Sequence, residues 1–238
     1  MDIILIPGFW LDASAWDDVT PPLVEAGHTV HPVTLPGLES VDADRSAIHL
    51  ADHVDAVVAA IDAVAPPAPV VLVGHSAGGG LVYAASDRRP DRVAHVVYVD
   101  TGPMSEGQAV DADLAADVVD HDLPAWEQLE DEDLVDLTEE LRAQLRARAI
   151  PQPGATVREG HRLSDDDRRL DIPSTVIACE FPAAALRELM TQDHPYTREL
   201  SRLRKAEIVD LPTGHWPMFT KPAELAQAIL AAVDSERA

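Results

Sequence analysis

The sequence has a single cysteine, Cys179, and no apolar stretch long enough to cross a bilayer. One cysteine excludes an internal disulfide, which is typical of proteins from a reducing compartment. The chain opens on the strand-like residues 3–6, with no basic segment or cleavage site before them. We therefore expect a cytoplasmic protein without a membrane partner.

Basic residues are also scarce. The chain has 18 lysines and arginines against 42 aspartates and glutamates, which gives a formal net charge of −24. A surface of this charge repels phosphate backbones and anionic lipids. We therefore expect no nucleic-acid partner, and a monomer or homodimer that takes a small-molecule substrate.

Short apolar runs alternate with helical patterns along most of the chain, which predicts an α/β fold with a mainly parallel sheet. About six strands are expected, with helices on both faces of the sheet. A chain of 238 residues can bury a sufficient apolar core without disulfides or a structural metal. The predicted strands are residues 2–7, 29–35, 70–74, 93–100, 174–179 and 207–211. The predicted helices are residues 13–26, 46–64 and 134–149, and a last helix that begins at Pro222.

Residues 102–170 differ from the rest of the chain. They are rich in acidic residues, contain helical stretches and show no strand pattern. A long excursion beyond the carboxyl edge of a sheet is usually a lid over a pocket. We expect residues 1–101 and 171–238 to form the core and residues 102–170 to form a helical cap insertion, within one domain overall.

Residues 74–78 have the sequence Gly-His-Ser-Ala-Gly, between a β-branched run and a helix start rich in glycine and alanine. In this context G-x-S-x-G predicts a nucleophile elbow, a sharp turn that presents a serine above the sheet. The flanking glycines remove the Cβ clashes that the turn would otherwise cause. Ser76 is therefore the predicted nucleophile, and His75 is predicted to be structural.

A serine hydroxyl needs a base within hydrogen-bond reach, and that base needs an acid to orient it. His215 lies in the loop between the last predicted strand and the last predicted helix. This loop is at the carboxyl edge of the sheet, as is Ser76, where open α/β sheets bind ligands. His215 is therefore the predicted base.

With these motifs the chain resembles the α/β-hydrolase superfamily, and is most similar to its small cofactor-independent esterases, the methyl-ester hydrolases and hydroxynitrile lyases. The resemblance rests on residues 6–10 (Ile-Pro-Gly-Phe-Trp), residues 74–78, Gly214-His215, and the order of nucleophile first and histidine last. It implies an enzyme without a cofactor, and an oxyanion hole formed by the backbone N–H groups of Phe9 and Ala77. Pro7 replaces the histidine that usually precedes the glycine of this loop.

The acid has two candidates. Most relatives carry an aspartate just after the strand that matches residues 174–179, where this chain has Glu180. Asp100 ends the strand after the nucleophile helix, which is an alternative position in some relatives. A partly buried carboxylate there would need a partner such as a protonated imidazole. We predict Asp100, with Glu180 as the alternative.

Two further expectations concern the pocket and metals. Trp10 and Trp216 flank the oxyanion loop and the histidine, and are predicted to line the substrate pocket. His49 and His53 have an i, i+4 spacing that suits a metal, but no third ligand is evident in the sequence, so no metal is expected.

The predicted function is that of a serine hydrolase that cleaves a small, mostly apolar carboxylic ester or related acyl substrate through an acyl-enzyme. Two alternatives remain open. One is proton abstraction of the hydroxynitrile-lyase type, which usually uses a lysine near the histidine; the only lysines here are Lys205 and Lys221. The other is a non-catalytic ligand-binding protein on the same scaffold.

Overall fold

The computed structural model describes residues 1–234. Six parallel strands form one sheet: β1 (Asp2–Ile6), β2 (Thr29–Pro32), β3 (Val70–His75), β4 (Val93–Val99), β7 (Ser174–Ala178) and β8 (Ala206–Asp210). Their order in the sheet is β2-β1-β3-β4-β7-β8, and β5 and β6 lie outside it. The parallel α/β sheet predicted from the sequence is confirmed, and each predicted strand agrees to within a few residues.

The central strands are buried on both faces, because helices cover the sheet on each side. Alternate residues of β1 therefore enter two different apolar clusters: Ile4 and Ile6 belong to one, and Ile3 and Leu5 to the other. All six residues of β3 are buried. This explains why the central strands appear in the sequence as continuous apolar runs.

The helices are α1 (Thr20–Glu25), α2 (Leu50–Ala63), α3 (Gly78–Arg88), α4 (Glu139–Arg148), α5 (Gly154–Arg158), α6 (Ala183–Thr191), α7 (Pro217–Thr220) and α8 (Pro222–Asp234). The prediction of one continuous helix at residues 13–26 is wrong. Asp12 caps a 3₁₀ turn at Ala13–Trp16, and α1 starts afterwards. Pro21 and Pro22 lie in the first turn of α1, where a missing N–H costs no helical hydrogen bond.

Residues 102–170 contain two strands that the sequence pattern did not show. β5 (Asp120–His121) pairs antiparallel with β6 (Gln152–Pro153). A ladder of two residues is too short to produce an alternating pattern, so the expectation of no strand there is wrong. The helix predicted at 134–149 is shorter, because Thr138 caps α4 through a hydrogen bond from the Leu141 N–H.

Parallel pairing brings several loops to the same edge of the sheet. His75 in β3 is in register with Val99 in β4, so the residues that follow these strands emerge side by side. The loops after β7 and β8 leave the sheet at the same edge. Among residues 1–234, no helix combines the length and apolar character that a bilayer span requires.

Candidate active site

Ser76 lies in the turn between β3 and α3, with φ of 51°, in the left-handed region that non-glycine residues rarely adopt. The flanking glycines are sterically required. A Cβ on Gly74 would lie 2.5 Å from the Gly78 carbonyl oxygen, and a Cβ on Gly78 would lie 2.8 Å from the carbonyl oxygens of Ile6 and Pro7. The Ser76 N–H donates to the Val99 carbonyl oxygen at 3.1 Å. The strained turn is therefore held rigidly against the sheet.

His215 lies within hydrogen-bond distance of Ser76 and of a carboxylate. Its Nε2 is 2.8 Å from the Ser76 Oγ, and its Nδ1 is 2.8 Å from the Asp100 Oδ2. The sequence places these three residues far apart, and the carboxyl edge of the sheet brings them together. Their connectivity is that of a serine–histidine–acid triad.

The backbone around His215 is fixed by the cap segment. The Gly214 N–H donates to the Val135 carbonyl oxygen at 3.0 Å, and the His215 N–H donates to the Asp133 carbonyl oxygen at 2.9 Å. A Cβ on Gly214 would lie 2.3 Å from the Asp133 oxygen. Gly214 is therefore needed for the close approach of the two loops.

Asp100 also has a left-handed backbone, with φ of 50°. Its Oδ1 accepts hydrogen bonds from the backbone N–H groups of Cys179 and Glu180, both at 3.0 Å, and its Oδ2 faces His215. The side chain is 7% exposed. Both carboxylate oxygens are thus engaged, which fixes the acid relative to the imidazole.

Glu180, the alternative acid, also reaches the imidazole. Its Oε1 is 2.8 Å from His215 Nδ1, but this contact lacks hydrogen-bond geometry, and Glu180 Oε1 is buried without a donor among residues 1–234. When Nε2 accepts the Ser76 hydroxyl proton, the ring carries its own proton at Nδ1, and in this structure that position is aligned with Asp100. The geometry therefore favours Asp100 as the acceptor, with Glu180 as a second carboxyl group beside it.

The charges of this cluster are strongly coupled. Burial alone would lower the pKa of His215, but contacts with Asp100 and Glu180 outweigh it and raise the pKa to about 10. Burial opposes ionisation of Asp100, yet the pKa of Asp100 is lowered by His215 and by the two backbone N–H donors. Burial raises the pKa of Glu180 to about 7. Asp100 is therefore the more stable anion of the pair.

His75 supports the site from behind. It is buried, and burial lowers its pKa to about 3, so the ring is neutral. Its Nε2 is 2.7 Å from the His215 carbonyl oxygen, which requires the N–H on this nitrogen. The sequence indicated only a structural role, and the structure shows the contact: His75 binds the main chain of the predicted base.

The loop that contains Phe9 passes directly beside the serine. A Cβ on Gly8 would lie 2.8 Å from Ser76 Cβ and 2.8 Å from His75 Nδ1, so the glycine allows this approach. Phe9 and Ala77 line the same narrow slot next to the serine. Ala77 is the N-cap of α3, where backbone N–H groups lack intrahelical partners.

A wider cavity of about 280 Å³ opens above Ser76 and His215. Its other walls come from Ala77, Asp100, Thr101, Gly102, Pro103, Met104, Gln108, Ala109, Val110 and Tyr196. Most of these residues belong to the cap segment, and Tyr196 follows α6. Sequence reasoning identified Ala77 and Asp100 but missed the other lining residues, because these have no motif and lie far from the serine in the chain.

The two tryptophans predicted for the pocket do not line this cavity. Trp216 is 2% exposed and packs edge-on against His215, with ring centroids 5.2 Å apart. Trp10 has φ of 64° and its indole N–H donates to the His121 carbonyl oxygen at 2.9 Å. Trp216 therefore packs behind His215, and Trp10 is held to residue 121 of the cap segment through its indole N–H, so neither ring borders the cavity.

Within residues 1–234, one cluster has the ligand types and spacing for a metal ion, and it consists of Asp100, Glu180 and His215. In this cluster His215 Nδ1 and Asp100 are already bound to each other. The pair predicted not to bind metal does not converge: His49 Nδ1 contacts Glu159, and His53 Nε2 contacts the Pro36 carbonyl oxygen.

The sheet order, the left-handed serine turn and the serine–histidine–carboxylate arrangement define a class of α/β enzyme with a nucleophile elbow. Residues 3–228 match the model of the alpha/beta hydrolase family. The chain belongs to this family and is an enzyme of the α/β-hydrolase type.

The individual relatives share little sequence identity with this chain. The chain is 27% identical over 258 residues to a pyrethroid hydrolase from Sphingobium wenxiniae, covering 98% of this chain and 88% of that protein. It is similar in structure to the methylesterase MES16 from Arabidopsis, with a TM-score of 0.74 at 17% identity over 99% of both chains. It is also similar in structure to an extracellular alpha/beta-hydrolase from Paenibacillus, with a TM-score of 0.72 at 23% identity over 98% of both chains.

Proposed function

We propose that the protein is a serine hydrolase that cleaves a small, mostly apolar carboxylic ester through an acyl-enzyme. The observation that carries the proposal is the continuous chain of contacts from Ser76 Oγ to His215 Nε2 and from His215 Nδ1 to Asp100 Oδ2, each 2.8 Å long. A binding protein has no need for a strained serine aligned with a base.

In the first half-reaction, Ser76 Oγ attacks the ester carbonyl carbon while His215 Nε2 takes the hydroxyl proton. Asp100 stabilises the imidazolium that forms. The carbonyl π electrons move to its oxygen, which accepts hydrogen bonds from the Phe9 and Ala77 N–H groups. One such donor typically contributes about 2.7–4 kcal/mol of transition-state stabilisation.

Collapse of the tetrahedral intermediate breaks the bond to the leaving alcohol, which takes its proton from His215 Nε2. Water then attacks the acyl-enzyme, with His215 as the base, and Ser76 regains its proton as the acid is released. The reaction therefore consumes one water molecule and needs no cofactor.

The substrate class follows from the cavity and from the relatives. The wider cavity includes Met104, Ala109 and Val110, which favour an apolar alcohol group. The name of the pyrethroid hydrolase and that of the methylesterase both fit hydrolysis of esters. The net charge of −24 disfavours polyanionic substrates.

Labelling with a fluorophosphonate, followed by mass spectrometry, tests the nucleophile. We expect one adduct on Ser76, and turnover of p-nitrophenyl esters that the Ser76→Ala variant loses. Ser46→Ala is the matched control, since Ser46 is exposed and bonds to Asp44. Absence of the adduct in folded protein would contradict the proposal, and ligand-induced stabilisation without turnover would support a binding protein instead.

Lyase chemistry is the weaker alternative. The amine of Lys221 lies 2.5 Å from the Pro212 carbonyl oxygen and 3.4 Å from the Asp136 carboxylate, so it is bound outside the cavity. A panel of cyanohydrins beside the esters separates the two reactions. We further propose a cytoplasmic monomer or homodimer, which cell fractionation and light scattering test.

A further inference from the structure

A second, narrower space lies beside the wider cavity. Ala77 and Val110 line both spaces, so the two meet at the residue after the serine. The slot is also lined by Gly8 and Phe9 of the oxyanion loop, and its polar lining residues include Gln152, Thr156 and His161. Its free volume for a water-sized group is about 10 Å³, and one water needs roughly 10–15 Å³ by this measure.

One of the residues that line the slot is Gln152, which is 1% exposed. Its Nε2 donates to Thr156 Oγ1 at 2.7 Å, and the Thr156 hydroxyl donates its only proton to the Pro153 carbonyl oxygen at 2.7 Å. This chain fixes the orientation of the amide. Among residues 1–234, no donor reaches Gln152 Oε1, which is a buried acceptor without a partner.

His161 adds a second unpartnered polar atom to the slot. It is 3% exposed, and within the described chain its Nδ1 has no partner. Burial lowers its pKa to about 4, so at neutral pH the ring is uncharged and offers one donor and one acceptor. Its position is built into the fold, because a Cβ on Gly80 would lie 2.4 Å from His161 Nε2.

Two unpartnered polar side chains around one small space are unusual, because each buried polar atom left without a hydrogen bond is costly. A hydroxyl has the complementary atoms for both: its proton can go to Gln152 Oε1, and its oxygen can accept from the N–H of a His161 ring protonated at Nδ1. The volume of the slot also suits a group of this size.

The positions of the reacting groups decide which part of an ester enters the slot. The leaving alcohol must meet His215 Nε2 to take a proton, and His215 lines the wider cavity and not the slot. The ester carbonyl oxygen must meet the N–H groups of Phe9 and Ala77, which both line the slot, so the acyl side of the ester lies next to the slot. The slot takes only one water-sized group, so a hydroxyl on the acyl side is the part that enters it, while the carbon chain stays in the wider cavity.

We propose that the slot between the oxyanion loop and the cap is an acyl subsite that binds a hydroxyl through Gln152 and His161. The preferred substrates are then esters of short hydroxycarboxylic acids with a larger, apolar alcohol. This inference rests on the proposed ester hydrolysis for the acyl assignment, while the polar end of the slot is a separate observation.

The test compares p-nitrophenyl butyrate with p-nitrophenyl esters of 2- and 3-hydroxybutyrate, so that the hydroxyl moves along the chain. We expect kcat/KM for the best hydroxy ester to exceed that for butyrate by roughly ten- to hundredfold. Gln152→Leu and His161→Leu should each reduce this ratio towards one. Because each ratio compares two substrates of the same variant, a loss of activity that affects both substrates equally does not change it.

Gln192→Leu is the matched control. Gln192 is exposed, and its Nε2 donates to Glu188 Oε1 outside the slot, so the same substitution there should leave the ratio near that of the unmodified protein. Equal kcat/KM for butyrate and both hydroxy esters would overturn the proposal. So would a preference that persists in both Gln152→Leu and His161→Leu, and either result would mean that the slot holds only water.

Binding to Ser76→Ala separates this proposal from the proposed function. The variant cannot form an acyl-enzyme, so the dissociation constants of the intact esters report the slot alone. Tighter binding of a hydroxy ester without turnover by the unmodified protein would support the slot and contradict ester hydrolysis. Turnover without any preference in rate or binding would support hydrolysis and contradict the slot.

Discussion

The carboxyl edge of the sheet and the cap segment, residues 102–170, contribute to the site in different ways. The sheet edge supplies Ser76 and Asp100, each at the end of a buried strand and each with a left-handed backbone. The cap has little regular structure, yet its backbone holds the His215 loop and its side chains line the pocket. The candidate reactive groups thus lie at the ends of buried strands, and most walls of the wider cavity come from the cap.

The cap is nevertheless joined to the core by specific hydrogen bonds. The Ile150 N–H donates to the Trp10 carbonyl oxygen at 2.9 Å, beside the oxyanion loop. Leu145 of α4 belongs to the same apolar cluster as Val97 of β4. We therefore propose that the cap and the core form one folding unit.

The largest expected effect concerns the two acids of the sheet edge. Asp100→Asn should lower kcat by about 10⁴-fold, the size known for the same change in a serine protease triad, because the amide no longer stabilises the correct imidazole tautomer. Glu180→Gln should lower kcat by less than about tenfold, since its contact lacks hydrogen-bond geometry. Steady-state kinetics on one ester checks both variants, with circular dichroism to establish folding. The reverse ranking would assign the acid to Glu180.

The next effect is on stability and tests the comparison of core and cap directly. Leu72→Ala in β3 and Leu145→Ala in α4 should each cost about 2–5 kcal/mol, since both side chains are at least 99% buried. Urea unfolding, followed by tryptophan fluorescence and by far-UV circular dichroism, should give one coincident transition for both variants. A separate early transition in Leu145→Ala would show that the cap unfolds by itself.

A smaller effect is expected where the cap contacts the His215 loop. Gly214→Ala places a Cβ 2.3 Å from the Asp133 oxygen, so the loop must move, and we expect kcat/KM to fall by roughly 10- to 100-fold, as small misplacements of a catalytic group do. Thermal unfolding of the same variant separates a loss of stability from a loss of positioning. A Gly214→Ala protein with unchanged kinetics would show that the cap does not position His215.

The smallest effect is a shift of the pH profile. His215 must be neutral to act as a base, so kcat/KM should rise with pH as the imidazolium loses its proton. The Glu180 anion stabilises the imidazolium and raises the pKa of His215. Glu180→Gln removes that charge, which lowers this pKa and moves the rising limb to lower pH. A limb that stays in place or moves to higher pH would show that Glu180 carries no charge at the site.

Much of this fold could be predicted from local sequence. The six parallel strands follow from short β-branched runs between helical patterns, and the serine turn follows from Gly74 and Gly78 around Ser76. β5 and β6 could not be predicted, because two residues carry no periodicity. The tryptophans were placed in the pocket from their position in the chain alone, and the direction of a side chain is not encoded there.

The sequence by itself determined the sheet, the elbow and the pairing of a serine with a late histidine, because each depends on local periodicity or on backbone angles that only certain residues allow. The tertiary structure favours Asp100 over Glu180 as the hydrogen-bond acceptor of His215. Both lie close to His215 Nδ1, and only the backbone N–H groups of the loop after β7 orient Asp100 towards it. It also decided which cap residues border the serine, since those contacts form across the whole length of the chain.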